Sequence, residues 1–196
     1  MTAKRRAYAA RIPAGQRRTE LLDAALALVV TAGHSAATME AVAERAGVTK
    51  PVVYGVFENR AALLSALLRR EQEQALRQVL EIMPSDLAAP NLLPQLLRDF
   101  LDVVAKSPDR WRCVVMPMPD LPAQFHAARE SARALTLARA EDFARATLHW
   151  LDPEIAAHTM VTLAEMAARL VLTDPARFRP DRFVAALTAL TAPRVH

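Results

Sequence analysis

The chain has 196 residues, 53% hydrophobic and 23% charged, with a formal net charge of +4 at pH 7. That length can bury a substantial core, as one domain or as a small domain plus a larger one. No apolar run approaches 18 residues, so a membrane span is not expected, and one cysteine, Cys113, excludes an intramolecular disulfide and fits a reducing cytoplasm. The charge is unevenly placed. Residues 1–63 hold 9 Lys+Arg against 5 Asp+Glu, a net of +4, whereas residues 64–196 hold 16 against 16. All of the excess positive charge therefore lies in the first third, where a polyanionic partner would be met. All four glycines lie within the first 55 residues. The rest, rich in Ala and Leu and punctuated by proline, reads as helices without hairpins.

Residues 1–14 carry Lys4, Arg5, Arg6 and Arg11 without an apolar period, and read as a flexible basic arm; they also lack the apolar run of a signal peptide, so export is not expected. A first helix is predicted from Gln16 to Ala32, with Leu22, Ala25, Leu26 and Val29 as its core stripe and Gly33 ending it. Arg17 and Arg18 oppose its dipole, which hints at a compensating phosphate.

Thr38–Phe57, TMEAVAERAGVTKPVVYGVF, reads as two short helices joined by a tight turn. Thr38 caps the first, Glu40 adds a carboxylate to its first turn, and Met39, Val42, Ala43 and Ala46 recur at helical spacing. Gly47 supplies a positive φ and Val48 fills the corner. Thr49 caps the second helix, Pro51 falls in its first turn, and Val53, Val56 and Phe57 face inward. Lys50, Val52, Tyr54 and Gly55 are left pointing out. This is the pattern of a DNA-binding helix-turn-helix, with Lys50–Phe57 as the helix that enters the major groove.

Thr38, AVAERAGVTK, Tyr54, Phe57 and Asn59-Arg60-Ala61-Ala62-Leu63-Leu64 together resemble the N-terminal signature of the TetR family of transcriptional repressors. The resemblance covers about residues 16–66. It implies a helical repressor that binds operator DNA as a homodimer and answers to a small effector, with Thr38, Tyr54 and Arg60 touching the DNA backbone. Pro51 stands where that family usually has Gly, and Gly55 and Val56 stand where it has bulky or polar residues, so the operator sequence does not carry over.

After Phe57, Asn59 caps a long helix to about Ile82, whose Leu63, Leu64, Leu67 and Leu68 are expected to hold it to the preceding unit, while RREQEQALRQ is solvated on one side. Further helices are predicted over Asn91–Ala105, from Pro108 through DRWRCVVM, over Ala123–Leu151, from the Asp152-Pro153-Glu154 start signal to Leu172, and finally to Thr191. MPMPDLP, residues 116–122, holds three prolines and no helix.

Thr38, Thr49, Lys50, Pro51, Val52, Tyr54, Gly55 and Arg60 are the candidate DNA contacts. Lys50 suits a phosphate or guanine O6/N7, the hydroxyls suit phosphate oxygens, and Val52 suits a thymine methyl. Gly55 lowers helix propensity by about 1 kcal/mol, which fits close approach of the backbone to DNA or the lack of any need for a side chain.

Phe100, Trp111, Met116, Met118, Phe125, Trp150, Met160 and Met166 are each ordinary core by themselves. Together, around a proline-broken segment, they equally suit a cavity, and the resemblance favours an effector pocket of Phe100, Trp111, Met116, Met118, Phe125, His126, Trp150 and Met160. Leu163, Met166, Leu170, Phe183, Leu187 and Leu190 on the last two helices suit a four-helix subunit interface, although the same faces could pack within one subunit. Glu154, His158 and Glu165 lack the paired Glu-x-x-His of a di-iron bundle, Arg112 beside Cys113 could stabilise a thiolate although a buried inert thiol fits better, and no nucleophile, phosphate-loop or zinc-protease motif occurs.

The expected fold is all-α: an arm at 1–14, a three-helix DNA-binding domain at 15–62, and a larger effector-binding and dimerisation domain at 63–196. The expected partners are double-stranded operator DNA, a small apolar effector and a second copy of the chain, with no membrane, metal, cofactor or catalysis. The rivals are a helical enzyme or metal-binding protein with an incidental helix-turn-helix, and a constitutive DNA binder with a filled core.

Overall fold

The computed structural model describes residues 13–84, 91–116 and 123–191; the side chains at 123–125 and 127–128 also lie outside the description. The basic arm's Lys4, Arg5, Arg6 and Arg11, most of MPMPDLP with Met118, and the Phe125 side chain are therefore outside it. The described residues are helical with no strand, and the chain divides into two compact units after Leu64.

The first unit holds α1 (Ala14–Ala32), α2 (Met39–Arg45), α3 (Lys50–Tyr54) and the first residues of α4 (Arg60–Glu81). Leu21, Leu22, Ala25 and Val29 of α1 are buried; Leu21 rather than Leu26 completes the stripe. Gly33 takes φ 81° and its N–H closes on Val29 O, after which His34–Ala36 make one 3₁₀ turn that the sequence spacing did not announce. Thr38 Oγ1 accepts from Ala41 N at 3.1 Å and begins α2. Gly47 then takes φ 65°, a left-handed conformation that a side chain would strain. The chain turns there, and Val48 N donates to Ala43 O at 2.9 Å.

Thr49 occupies the N-cap position of α3 with extended backbone, yet its hydroxyl makes no cap bond, contrary to expectation. The helix itself is shorter than Lys50–Phe57: past Tyr54, the N–H groups of Val56 and Phe57 both return to Val53 O and close the turn. Val53 and Phe57 are buried. Asn59 Oδ1 accepts from Ala62 N at 2.9 Å and starts α4 as read from the sequence.

The second unit holds the rest of α4 with α5 (Leu92–Lys106), α6 (Pro108–Val115), α7 (Ala123–Thr147), α8 (Pro153–Thr173) and α9 (Pro180–Thr191). α8 packs against α5, α6, α7 and α9. It is long and apolar enough to cross a membrane by length and composition, with mean hydropathy 1.4. Its Ala167, Ala168, Val171 and Leu172 are instead core residues between Leu97 and Leu101 of α5 on one side and Val104 and Trp111 on the other. α7 stops at Thr147, four residues before the predicted Leu151. Leu148 N still returns to Ala144 O and Leu151 N to Leu148 O in a closing turn, after which Asp152, extended ahead of Pro153 at φ −61°, ψ 120°, starts the next helix with its carboxylate accepting from Ile155 N at 3.0 Å.

Among the described residues, one polar side chain is almost fully buried. Glu71 of α4 is 1% exposed and is paired with Arg70 Nε at 2.6 Å and Arg110 Nε at 3.2 Å. Arg110 also donates to Gln74, and Gln78 accepts from Trp111 Nε1 at 3.2 Å while donating to Ser107 Oγ at 3.0 Å. These bonds tie α4 to α6 and satisfy every polar group that the contact buries.

Candidate nucleic-acid interface and effector cavity

Burying Val53 and Phe57 turns the opposite side of α3 outward. Thr49, Lys50, Pro51, Val52, Tyr54 and Gly55 are all exposed on it, and Thr38 is exposed at the start of α2. The Lys50 ammonium pairs with the Glu40 carboxylate of α2 and lies 5.8 Å from the centre of the Tyr54 ring. The hydrogen bond between them holds the Glu40 carboxyl below its usual range and the Lys50 ammonium above its own. Both groups are exposed, so an incoming phosphate competes directly with Glu40 for Lys50. A Cβ on Gly55 would meet Pro51 O at 3.4 Å, an ordinary contact. Nothing within the chain therefore requires glycine there.

Three cations read as phosphate-facing have partners inside the unit. Arg60, expected on the DNA backbone, donates from Nε to Ala37 O at 3.1 Å and from one terminal nitrogen to His34 O at 2.6 Å. It braces the turn between α1 and α2, a structural role beside the expected one. Arg17 pairs with Glu20 at 2.7 Å, and the Arg18 guanidinium stacks 4.6 Å from the centre of the Phe57 ring. Their places near the start of α1 are explained locally.

Within the second unit, α4 to α9 enclose an open cavity of about 1260 Å³. Phe100, Trp111, His126 and Met160, all predicted for the pocket, line it. Phe100 and Trp111 meet edge to face with ring centres 5.0 Å apart. Trp150 does not line it: it is 68% exposed and meets His149 edge to face after α7 has ended. Met116 is half-buried at the end of α6 and is also absent from the lining.

The walls include residues that sequence reasoning passed over. α4 contributes Leu76, from the stretch read as solvated, with Val79 and Leu80 just beyond it, and α7 contributes Ala132, Leu135, Thr136, Ala140 and Phe143. The α7 positions recur at i, i+3, i+4, i+8 and i+11, a helical stripe that was there to be read. Two predicted interface residues, Leu163 and Leu187, line the same cavity. Phe183 and Leu187 moreover pack on Leu97, Leu101, Ala167 and Val171. Those three half-buried positions therefore pack at least partly within the single chain. Met166 at 41% and Leu190 at 82% exposure keep open faces, and Leu170 is half-buried.

The cavity's charged groups gather on α7 and α8. Arg133 Nε meets Glu165 Oε1 at 3.2 Å and a terminal nitrogen meets Oε2 at 3.3 Å, a bidentate pair, with Arg169 3.9 Å from the same carboxylate. Arg129 donates to Val114 O at 2.7 Å and Met116 O at 3.0 Å. Glu165 is thus occupied by arginines rather than grouped with Glu154 and His158. Cys113 is buried, and burial first, then the nearby Glu71 charge, push its thiol up to about 12. Arg112 turns away to Asp109 and Leu172 O, so no thiolate is stabilised there.

Residues 21–67 match the sequence profile of bacterial regulatory proteins of the tetR family. A relative, the HTH-type transcriptional activator FasR of Mycolicibacterium smegmatis, is 30% identical over 125 residues, which span 62% of this chain and 57% of that protein. The matched part is therefore little more than half of that relative's length. A TetR-like transcriptional regulator from Rhodococcus sp. RHA1 shares the fold with a TM-score of 0.73 at 22% identity, over 93% of this chain and all of that one. The transcriptional regulator FadR of Bacillus subtilis, solved in complex with stearoyl-CoA, superposes with a TM-score of 0.71 at 13% identity, over 91% of this chain and 99% of that one. With its helix-turn-helix at residues 38–57 in an N-terminal unit and an all-helical unit after it, the chain carries a DNA-binding segment matching the tetR family of bacterial regulatory proteins at residues 21–67 and shares its fold with TetR-like regulators.

Proposed function

We propose that the protein is a repressor that binds operator DNA as a homodimer and lets go when a small apolar effector occupies the cavity of the second unit. The observation that carries this reading is the pairing of an outward row, Thr49 to Gly55 on a buried Val53–Phe57 footing, with a large cavity walled by apolar side chains in the same chain. Thr38, Thr49, Lys50 and Tyr54 suit phosphates, while Pro51, Val52 and Gly55 offer a flat apolar contact to base edges. Two copies are needed because a recognition helix of this length reads a short half-site, and paired half-sites lie about 34–36 Å apart. α4 carries residues of both units. An effector that prefers one setting of α4 shifts the population between DNA-competent and released states by its differential affinity for them.

The effector class is a long apolar chain. The cavity exceeds the usual range of about 300–1,000 Å³ for small-molecule sites, and the structurally similar FadR was solved with stearoyl-CoA. FasR, an activator by name, favours a second reading in which the effector changes the sign of regulation rather than abolishing binding. Both readings place the protein in the cytoplasm with the DNA.

Selection of genomic fragments by the purified full chain, followed by titration of the selected fragment with and without stearoyl-CoA, tests the reading. Capture of discrete fragments whose affinity falls with the ligand supports the repressor. Ligand-strengthened binding supports the activator, and absence of any selected fragment refutes both.

A further inference from the structure

The cavity's charges are not scattered. Among its half-buried ionic groups, Arg133 and Arg169 meet a single carboxylate, Glu165, and Arg129 lies one helical turn before Arg133. The lining's remaining charges are placed otherwise: Arg69 and Glu73 pair with each other at 3.9 Å, Glu130 and Arg139 are exposed, and Asp152 caps α8. The arginine group also has a definite position. Arg129 and Arg133 lie one turn apart near the start of α7, and Glu165 and Arg169 face them from the far half of α8. The other end is apolar, with Phe143, Leu148 and Met160 beside Leu93.

We propose that Arg129, Arg133 and Arg169 form a head-group site, so that the occupant is an anionic amphiphile: a carboxylate or phosphate at the arginines, and an unbranched chain running along α7 toward Leu148 and Met160. This rests on the effector reading above and adds the ligand's charge and direction. Length agrees. Arg129 and Phe143 both line the cavity and lie fourteen residues apart on α7, roughly 21 Å at 1.5 Å per residue. An extended polypeptide advances about 3.5 Å over three bonds, so the same span holds an all-trans chain of roughly eighteen bonds. Charge agrees as well. Glu165 engages Arg133 through both oxygens and Arg169 at longer range, so one carboxylate stands among three arginines and the group keeps two positive charges in excess. Arg129 donates to the neutral carbonyls of Val114 and Met116, which orient a guanidinium without cancelling its charge.

Calorimetric titration of the full chain with stearate, stearoyl-CoA and uncharged stearyl alcohol decides it. Arg133→Gln and Arg169→Gln should each weaken the anionic ligands by about tenfold or more, with stearyl alcohol changed less than about twofold. Glu165→Gln, which removes the competing carboxylate, should tighten the anionic ligands and keeps the test open if the arginine variants fold poorly in a thermal melt. Weakening confined to stearate assigns a carboxylate to the arginines, and weakening confined to stearoyl-CoA assigns a phosphate; either upholds the site. Equal effects on all three ligands, or none in any variant, overturn it while the cavity reading stands. If none of the three binds the unmodified protein, the effector reading fails and takes the head-group site with it.

Discussion

At the scale of single residues, Lys50 is the informative case. Its ammonium is shared between Glu40 and the Tyr54 ring, so the charge offered to DNA is partly cancelled before contact. Glu40→Gln removes the competitor and leaves the cation. Affinity for DNA of any sequence should rise, the more so at low salt, because phosphate neutralisation by lysine is a counterion-release term. The change should leave melting nearly unaltered, since exposed ion pairs contribute little. Unchanged affinity in a salt-dependent binding assay would mean that Lys50 does not meet the backbone. Because the Glu40 carboxyl sits below its usual range, its share of the pairing is complete above about pH 4.5 and disappears as acid carries the pH through the lowered value. The Glu40→Gln effect on binding should therefore be constant across neutral pH. Arg60 behaves in the opposite sense. Arg60→Ala strips two carbonyls of their partner; a loss of about 1–3 kcal/mol in chemical denaturation is expected. DNA affinity that falls without any loss of stability would restore Arg60 to the interface.

At the scale of elements, the join between α4 and α6 rests on Glu71. Glu71→Ala leaves Arg70 and Arg110 facing a buried void, and breaking one side of a buried pair costs about 3–5 kcal/mol. Glu71→Gln keeps the shape and one acceptor and should be milder, so melts of the two variants order the effects; equal melting of both and of the parent would show that the network carries no stability. This network also marks where sequence reading ran out. Thr38, Gly47, Asn59 and Asp152-Pro153 announce their turns and caps because the signal is local: a side-chain acceptor, a positive φ or a fixed φ acts within three or four residues. Glu71 lies within RREQEQALRQ, whose pattern reads as a solvated face, and only partners thirty-odd residues away account for its burial. The same holds at Leu163 and Leu187. Periodicity says that they face something apolar, but whether that is a second subunit or the chain's own cavity is set by helix placement. Trp150 fails differently, since its size suggested burial, yet α7 ends three residues ahead of it and leaves it outside.

At the scale of the whole molecule, the proposed pairing of two copies is best sought on what the interior does not use. Leu163, Phe183 and Leu187 already pack partly inside the single chain, so charges placed there would disturb folding as well as any assembly. Met166 and Leu190 remain exposed on α8 and α9, and Leu170 lies one turn beyond Met166. If two copies pair through these helices in an antiparallel four-helix arrangement, Met166→Glu combined with Leu190→Glu places unpaired carboxylates in a desolvated contact, which is strongly unfavourable. Since neither side chain is buried in the single chain, its melting should shift little by any intrachain route. Sedimentation should then show monomer where the parent is dimer. Operator affinity should drop steeply, because a lone recognition helix reads one half-site and loses the second set of phosphate contacts along with its share of the salt dependence. The salt slope gives an independent count, falling by about 0.9 for each phosphate no longer neutralised. A double variant that sediments as a dimer and keeps the parent's slope would exclude this face and send the search to other exposed apolar positions, Trp150 and Ile155 first.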